Sequence, residues 1–544
     1  MRALAGGAQI GGEVVARSLA ALGADVAFGL PGVHALAMWE GLRRVGLRGV
    51  VLRTELSAAF AADGWSRVTG RPVPVLLSTG PGALNSLTAM MEASSSHVPL
   101  VAVISQIPSA ELGRRGGWLH ELTDQLACFA PLVKWTATAR SVEAVPGLLA
   151  EAWRRAATPP SGPVAVEIPV DVLEAATALA VPERLDGSPA ALPLPSAPEL
   201  DAVAGLLARA ERPVVWSGGG VVRSGAWSEL TTLAERLGAP VATTYMGRGA
   251  LPAGHPLLAG SGCDEGAFGR LVGDADVVLA VGTELGAETT RQHTLRIPGT
   301  LVQLDCDPGR IGTTYPALPL VGDARDVLSA LLGRVQGGAA TEGWGAEAAA
   351  RVHREVGSGL DAQGRSLERG LLASIAGSLP VGTVEAYDMT ILGYWAAAHQ
   401  RPPAPRRFLY PLGSGTLGYA FPAALGASLA LPGTKVLAVV GDGGLSYALA
   451  ELATARQHHI DLALLVVDDG GYGILREYQS GSFGVTHGVE LAGPDLVALA
   501  GAAGLPVRLS APADLAGDLA WALEVPGPAA VVLRTRLVAA QPTP

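Results

Sequence analysis

The sequence predicts an α/β chain of three doubly wound parallel-sheet domains. Three observations carry that prediction. Apolar runs of strand length alternate with helical stretches along the whole chain, the pattern of parallel layered folds. Glycine-rich turns follow many of these runs, which suits ligand binding at the carboxyl edge of such sheets. Two stretches, 181–200 dense in Pro, Ala and Ser and 336–366 rich in Gly and Ala, interrupt the alternation and read as linkers. They divide the 544 residues into units at 1–180, 201–335 and 367–544, each of domain size.

The first unit opens with Ile10, Val14, Val15, Leu19 and Leu22 at helical spacing, a first amphipathic helix. Strands are predicted at 26–29, 50–53, 73–78, 100–105 and 164–168. The strand at 50–53 delivers Thr54-Glu55 to an alanine-rich helix, which Thr69-Gly70-Arg71-Pro72 stops. The next strand ends in Thr79-Gly80-Pro81-Gly82. Taken alone, Glu55 is an acid in a first helical turn, favoured by the dipole. His34 follows a Pro-Gly turn at a strand end, and His120 lies with Glu121 in a glycine-rich loop. Histidine suits proton transfer near neutral pH, so both are candidate proton donors. Asn85 and Gln106 end or follow strands in the same unit, and Gly32 precedes His34.

The middle unit alternates strand-like segments at 213–221, 240–247, 276–286 and 301–312. Its Gly218-Gly219-Gly220 invites a dinucleotide reading, but three adjacent glycines are not the GxGxxG that opens a helix. The unit is therefore read as structural.

The third unit holds the densest chemistry. KVLAVV leads into Gly441-Asp442-Gly443-Gly444, and LALLVV leads into Asp468-Asp469-Gly470-Gly471-Tyr472-Gly473. Asp442 and Asp469 lie 27 residues apart, with a helical stretch between. Strand, turn, helix, strand and loop in that order suit a diphosphate held through a divalent cation. Glycine permits close backbone approach, a helix start offers N–H groups, and Mg²⁺ takes hard oxygens in octahedral geometry. Asp442 and Asp469 each offer a carboxylate oxygen, and the Gly471 carbonyl a third ligand.

Composition narrows the classes. Charged residues are only 16%, and the formal net charge is −10, which opposes nucleic-acid binding. Gly, Pro or a charge breaks every apolar run before ~18–20 residues, so no transmembrane helix and no membrane partner are expected. The N-terminal stretch lacks a continuous apolar core with a cleavage site, so no signal peptide is expected. Cys128, Cys263 and Cys306 are too few and scattered for a disulfide framework or zinc site. A cytoplasmic location is the default.

The GDGG turn, its spacer and the second aspartate resemble the diphosphate signature of thiamine diphosphate enzymes, which usually have Asn at the positions of Asp468 and Asp469. The Glu55 helix and the GPG turn resemble the pyrimidine-binding domain of the same enzymes. The resemblance covers roughly residues 10–540. It implies a pyrimidine-binding domain, a central domain and a diphosphate-binding domain, in that order. It implies thiamine diphosphate and Mg²⁺ as cofactors. Gly441, Asp442, Gly443, Gly444, Asp469, Gly471, Tyr472, Gly473 and Ile474 then bind cofactor, with Asp442, Asp469 and Gly471 on the metal. Segment 413–430 resembles the family's bracing segment. Leu417 takes the bracing position, and the Gly415 carbonyl accepts from the cofactor's 4′-amino group. Glu55 hydrogen-bonds the pyrimidine and so promotes formation of a C2 ylide. FAD is not expected, because the stretch after 281 lacks the Arg- and Phe-rich pattern of FAD-holding relatives.

Within that family the chain resembles 2-oxo acid decarboxylases and carboligases. The segments around His34 and His120 look most like those of 5-guanidino-2-oxopentanoate decarboxylase and similar enzymes. Acetolactate synthases usually have Gln where His120 stands. Gly32, Asn85, Gln106 and Leu475 are the expected substrate-side residues, and pyruvate decarboxylase has Glu where Leu475 stands. The resemblance implies decarboxylation of a small 2-oxo acid through an enamine, with Glu55, His34 and His120 as the catalytic set. Two alternatives stay open: an acetolactate synthase-like carboligase, and a cofactor-binding homologue without turnover. The family builds its sites at subunit interfaces, so a homodimer or homotetramer is implied.

Overall fold

A computed structural model of the chain describes residues 9–543. Residues 1–8, where the reading of a targeting signal begins, lie outside the described residues. The helix expected near the start spans Gly11–Ala21.

The first sheet contains β1 (Val26–Gly29), β2 (Arg48–Val51), β3 (Val73–Leu77), β4 (Leu100–Gln106), β5 (Thr136–Thr138) and β6 (Val164–Pro169). The second contains β7 (Pro213–Ser217), β8 (Val241–Thr243), β9 (Leu258–Gly260), β10 (Val277–Val281), β11 (Thr300–Asp305) and β12 (Leu318–Val321). The third contains β13 (Val384–Tyr387), β14 (Phe408–Leu409), β15 (Val436–Gly441), β16 (Leu462–Asp468), β17 (Val507–Ser510) and β18 (Ala529–Arg534). Strand pairing is parallel in all three. The central strands are buried at nearly every residue, as β4 is along its whole length, because helices cover both faces.

The outer sheets share one topology. Their orders are β2-β1-β3-β4-β6-β5 and β14-β13-β15-β16-β18-β17. The middle sheet runs β12-β11-β10-β7-β8-β9, the doubly wound order of dinucleotide-binding folds. Gly218 nevertheless serves packing: a Cβ there would lie 2.2 Å from the Gly282 carbonyl oxygen at the end of the neighbouring strand.

The stretch 336–366, expected as a linker, contains a helix at Trp344–Ala362. Its Ala348, Ala349 and Val352 join the core of the middle unit, and Trp344 Nε1 donates to the Pro213 carbonyl at 2.9 Å. Small buried residues carry this helix, so its sequence shows little apolar contrast. In the stretch 181–200, a capping box of Ser196 and Glu199 starts the helix Ala197–Arg209.

Helix Glu55–Thr69 runs antiparallel along helix Ala420–Ala430, joining the first and third units in one continuous core. A Cβ at Gly64 would lie 2.0 Å from the Ala423 carbonyl oxygen, and one at Gly426 1.7 Å from that of Ala61. Glycine at both positions lets the two backbones touch.

Candidate active site

Parallel strands bring their following loops to one edge, and both outer sheets use that edge. In the first unit β1 lies beside β3, and β3 beside β4. The loops after β1 and β3 therefore meet. Thr54 caps the helix that Glu55 opens, its hydroxyl accepting from Ser57 N at 3.1 Å. Glu55 is buried, and Asn85 Nδ2 donates to its Oε2 at 3.1 Å. A Cβ at Gly82 would sit 3.0 Å from Glu55 Oε1, so the GPG turn runs directly beside the carboxylate. Gly32 packs against Ser78 in the same way, its notional Cβ 2.3 Å from Ser78 Oγ.

His34 and His120 meet beside this turn, with ring centroids 5.7 Å apart in edge geometry. The backbone of His120 is left-handed, at φ 65°, and its carbonyl lies against Gly80. Burial, and secondarily the neighbouring His120, push His34 below the ordinary histidine range. His34 Nδ1, His120 Nδ1 and Ser78 Oγ are all buried without a hydrogen-bond partner. Three orphaned polar atoms around one turn leave donors and acceptors for a ligand.

Gln106 is placed differently. Its Nε2 donates to Glu167 Oε2 at 3.0 Å and its Oε1 accepts from Ile107 N at 2.8 Å, so both ends of the amide bond within the first unit. Glu167 also accepts from Gln125, whose Oε1 receives Gly80 N at 2.8 Å. Gln125 and Glu167 thus buttress the GPG turn. Glu121 accepts from the backbone N–H groups of Gly116, Gly117 and Trp118, and Asp124 caps the helix Gln125–Phe129.

In the third unit β15 and β16 pair side by side, so Asp442 and Asp469 emerge next to each other. Burial, then the charge of Asp469, push Asp442 up to about 6, and burial raises Asp469. Two adjacent desolvated carboxylates, both raised by burial, suit a cation between them. The Gly471 carbonyl oxygen borders Gly443, 3.6 Å from a notional Cβ there, and Tyr472 packs its ring on the same glycine. A Cβ at Gly473 would meet Asp469 Oδ2 at 2.2 Å, so a side chain there would displace that carboxylate. The loop is tied back by Tyr472 N to the Val489 carbonyl, at 2.8 Å. Ile474 packs on the core of this unit, while Leu475 is 44% exposed.

Two features here differ from the sequence reading. The helix after the GDGG turn is one turn only, Asp442–Leu445, and a separate helix follows at Glu451–Gln457. Residues 446–450, Ser-Tyr-Ala-Leu-Ala, form turns between the two. Each aspartate that stands for the relatives' Asn also has an arginine. Arg476 lies 3.5 Å from Asp469 and Arg534 3.1 Å from Asp468.

Gly415 is exposed with φ 67°, and Leu417 is half-buried beyond it. Asp388 was missed by the sequence reading. It is fully buried and accepts backbone N–H groups of Met389, Gly418 and Ala420, joining the 413–420 segment to Gly444. Burial pushes it up to about 6. Its position at the end of β13 was the available signal.

Three family profiles match the chain: "Thiamine pyrophosphate enzyme, N-terminal TPP binding domain" over residues 10–128, the central domain over 200–331, and the C-terminal TPP binding domain over 388–533. The chain belongs to the thiamine pyrophosphate enzyme family. It is 38% identical to the "Probable 2-ketoarginine decarboxylase AruI" of Pseudomonas aeruginosa, over 91% of this chain and 89% of that one. It is 33% identical to an acetolactate synthase of Mycobacterium bovis, over 86% and 78% of the two chains. Acetolactate synthase isozyme 3 large subunit of Escherichia coli is 30% identical, over 94% and 92%.

The donor set fits the family's cofactor. Two adjacent carboxylates and a carbonyl suit a hard cation and a diphosphate, and the orphaned atoms around Gly80 suit a polar ring. Among the described residues, no three His, Cys, Asp or Glu side chains are grouped to hold a metal ion by themselves. A cation here would thus rely on oxygens of the cofactor. No helix of the described residues is long and apolar enough to cross a membrane. A separate cavity of about 830 Å³ lies between the units, lined by Arg67, His97, Arg223, Glu284, Asp305 and Gly413. His97 pairs there with Glu284 at 2.9 Å, away from the Glu55 turn.

Proposed function

We propose that this chain is a thiamine diphosphate- and Mg²⁺-dependent decarboxylase of a small 2-oxo acid. The observation that carries the reading is the convergence of Glu55 with His34 and His120 around the Gly80–Gly82 turn. Bound there, the cofactor supplies the electron sink that lets CO₂ leave a 2-oxo acid. Glu55 keeps Oε2 occupied by Asn85 and presents Oε1 to a ring nitrogen, where it holds a proton. Asp442, Asp469 and the Gly471 carbonyl hold the cation, and the loop of Gly441, Gly443 and Gly444 lies against the diphosphate. Tyr472 and Gly473 shape that pocket. Gly415 offers its carbonyl and Leu417 its side chain to the rings. His34 and His120 deliver the proton that replaces CO₂, from ring nitrogens no protein group occupies. Gly32, Asn85, Ile474 and Leu475 border the substrate. FAD has no part in the reading.

One chain does not assemble this set. Leu417 precedes Tyr419, which bonds Asp63, eight positions along the helix from Glu55. That is ~12 Å along the axis. Exposed apolar side chains surround the Glu55 half, among them Val33, Leu36, Leu84, Trp118 and Leu119. Both facts support a homodimer or a homotetramer, with each site shared between copies. Three free cysteines accord with a cytoplasmic location.

The apolar Leu475, half-exposed beside the metal loop, favours a second reading: carboligation, in which a second carbonyl compound replaces the proton. The test is CO₂ release from a panel of 2-oxo acids with thiamine diphosphate and Mg²⁺, with Glu55→Gln as control. The panel starts with guanidino acids, after the relative named for 2-ketoarginine. Aldehyde formed with Glu55 dependence supports the decarboxylase. Hydroxyketone as the main product supports the carboligase. Bound cofactor with no oxo acid consumed overturns both.

A further inference from the structure

Glu92 lies on helix Leu87–Ser95 of the first unit and is fully buried. Its carboxylate receives donors from two units. Oε1 accepts from Arg67 Nη2 at 2.8 Å, Ser96 Oγ at 2.7 Å and Gly413 N at 3.2 Å. Oε2 accepts from Ser414 N at 2.7 Å and Ser414 Oγ at 2.9 Å. Gly413 and Ser414 immediately precede Gly415 and Leu417. No side chain fits at 413, where a Cβ would meet Ser96 Oγ at 2.5 Å.

The carboxylate is itself anchored. Arg67 donates to Asp63 Oδ1 at 2.6 Å and to the Tyr410 carbonyl at 3.1 Å, and its guanidinium lies over the Tyr419 ring at 5.3 Å. Tyr419 Oη donates to Asp63 in turn. The segment 410–419 is therefore gripped at both ends, by Glu92 near its start and by Asp63 near its finish. A buried ion network that only joined two units could bond any surface between them. This one closes on the backbone of the loop that carries Gly415.

We propose that Glu92 is a positioning residue for the cofactor, setting the Gly415–Leu417 segment from the neighbouring unit. The proposal rests on reading Gly415 and Leu417 as the cofactor brace. Every group facing the carboxylate here is a donor, so an amide in its place must turn its own NH₂ toward a donor. The segment then leaves its seat while Asp442 and Asp469 keep theirs.

The experiment measures thiamine diphosphate binding by calorimetry, at fixed Mg²⁺ without substrate, and the near-ultraviolet circular dichroism of the bound cofactor. Glu92→Gln is expected to weaken binding tenfold or more and to change the dichroism. Ser96→Ala removes a bond from the same carboxylate and relieves rather than crowds Gly413, leaving the Gly413 and Ser414 N–H bonds to Glu92 in place, and is expected to stay within twofold of the parent. Wild-type affinity and dichroism in Glu92→Gln overturn the proposal. Equal losses in Glu92→Gln and Ser96→Ala also overturn it, since they mark general loosening of the interface. If Glu92→Gln does not fold, Glu92→Asp is read instead, because it keeps the charge beside Arg67 but withdraws from Ser414. Leu417→Ala separates the two readings. Wild-type binding and dichroism there sink the brace itself, whereas a loss there with none in the Glu92 variants sinks only the positioning role.

Discussion

The Tyr419 hydroxyl donates to Asp63 Oδ1 at 2.7 Å, across the boundary between the first and third units. This bond fixes the register of two antiparallel helices. It places Glu55 at one end of the seam and the 413–417 segment at the other. In the proposed dimer, each copy would carry half of two different sites.

Complementation tests that arrangement. Glu55→Gln and Asp442→Asn homomers are each expected to lose at least ~100-fold in rate, the scale of a lost proton-transfer group or charge partner. Subunits of the two variants, mixed and allowed to exchange, are expected to regain activity, because some sites then combine an intact Glu55 with an intact Asp442. The rate of CO₂ release after exchange is the measurement, and its failure to rise rules out shared sites.

His120→Gln separates protonation from ligation. Aldehyde release is expected to fall by ~100-fold, as for loss of a general acid. Consumption of 2-oxo acid with an added acceptor aldehyde is expected to fall much less. Product ratios by chromatography decide the point. Equal losses in both reactions indicate that His120 only supports the loop.

Asp469→Asn restores the residue usual in relatives. It removes one charge from the cation site and frees Arg476 to pair with Glu490 alone, now 2.7 Å away. The Mg²⁺ concentration for half-maximal activity is expected to rise about tenfold, or ~1.4 kcal/mol. Metal titration after chelator treatment measures it.

Glu385 makes stability pH-dependent. Burial pushes this carboxyl up to about 7, where Tyr387 and Gln400 bond it at 2.7 and 3.0 Å. Its folded value lies above its unfolded one, so the folded state holds the extra proton. The resulting stability is present below about pH 4.5 and is lost as pH rises through 7, a change of roughly 3 kcal/mol. Between pH 5 and 8 the parent is expected to lose urea resistance that Glu385→Gln keeps. Parallel curves for the two proteins remove Glu385 from the account.

The sequence shows its chemistry where function needs local spacing. Glu55 with the GPG turn, and Asp442 with Asp469, are legible because each sits within a few residues of a strand end. The partners that hold them are not. Gln125 reaches Gly80 from 45 positions away and Glu92 reaches Ser414 from 322. Nothing near either residue marks its burial or its partner. Gln106 looks the same from its strand end as a substrate ligand does, and its bond to Glu167, 61 positions away, is not legible there. The helix Trp344–Ala362 was hidden because alanine and glycine bury well but give no periodic contrast.

The glycine–alanine seam also bears on assembly. With backbones touching at Gly64 and Gly426, the first and third units of one copy have no slack between them and move as a single body. In the proposed dimer, any opening that admits the cofactor would then occur between copies. Loading and association would be one equilibrium, governed by mass action. On that reading, dilution is expected to release cofactor from an enzyme that keeps it when concentrated.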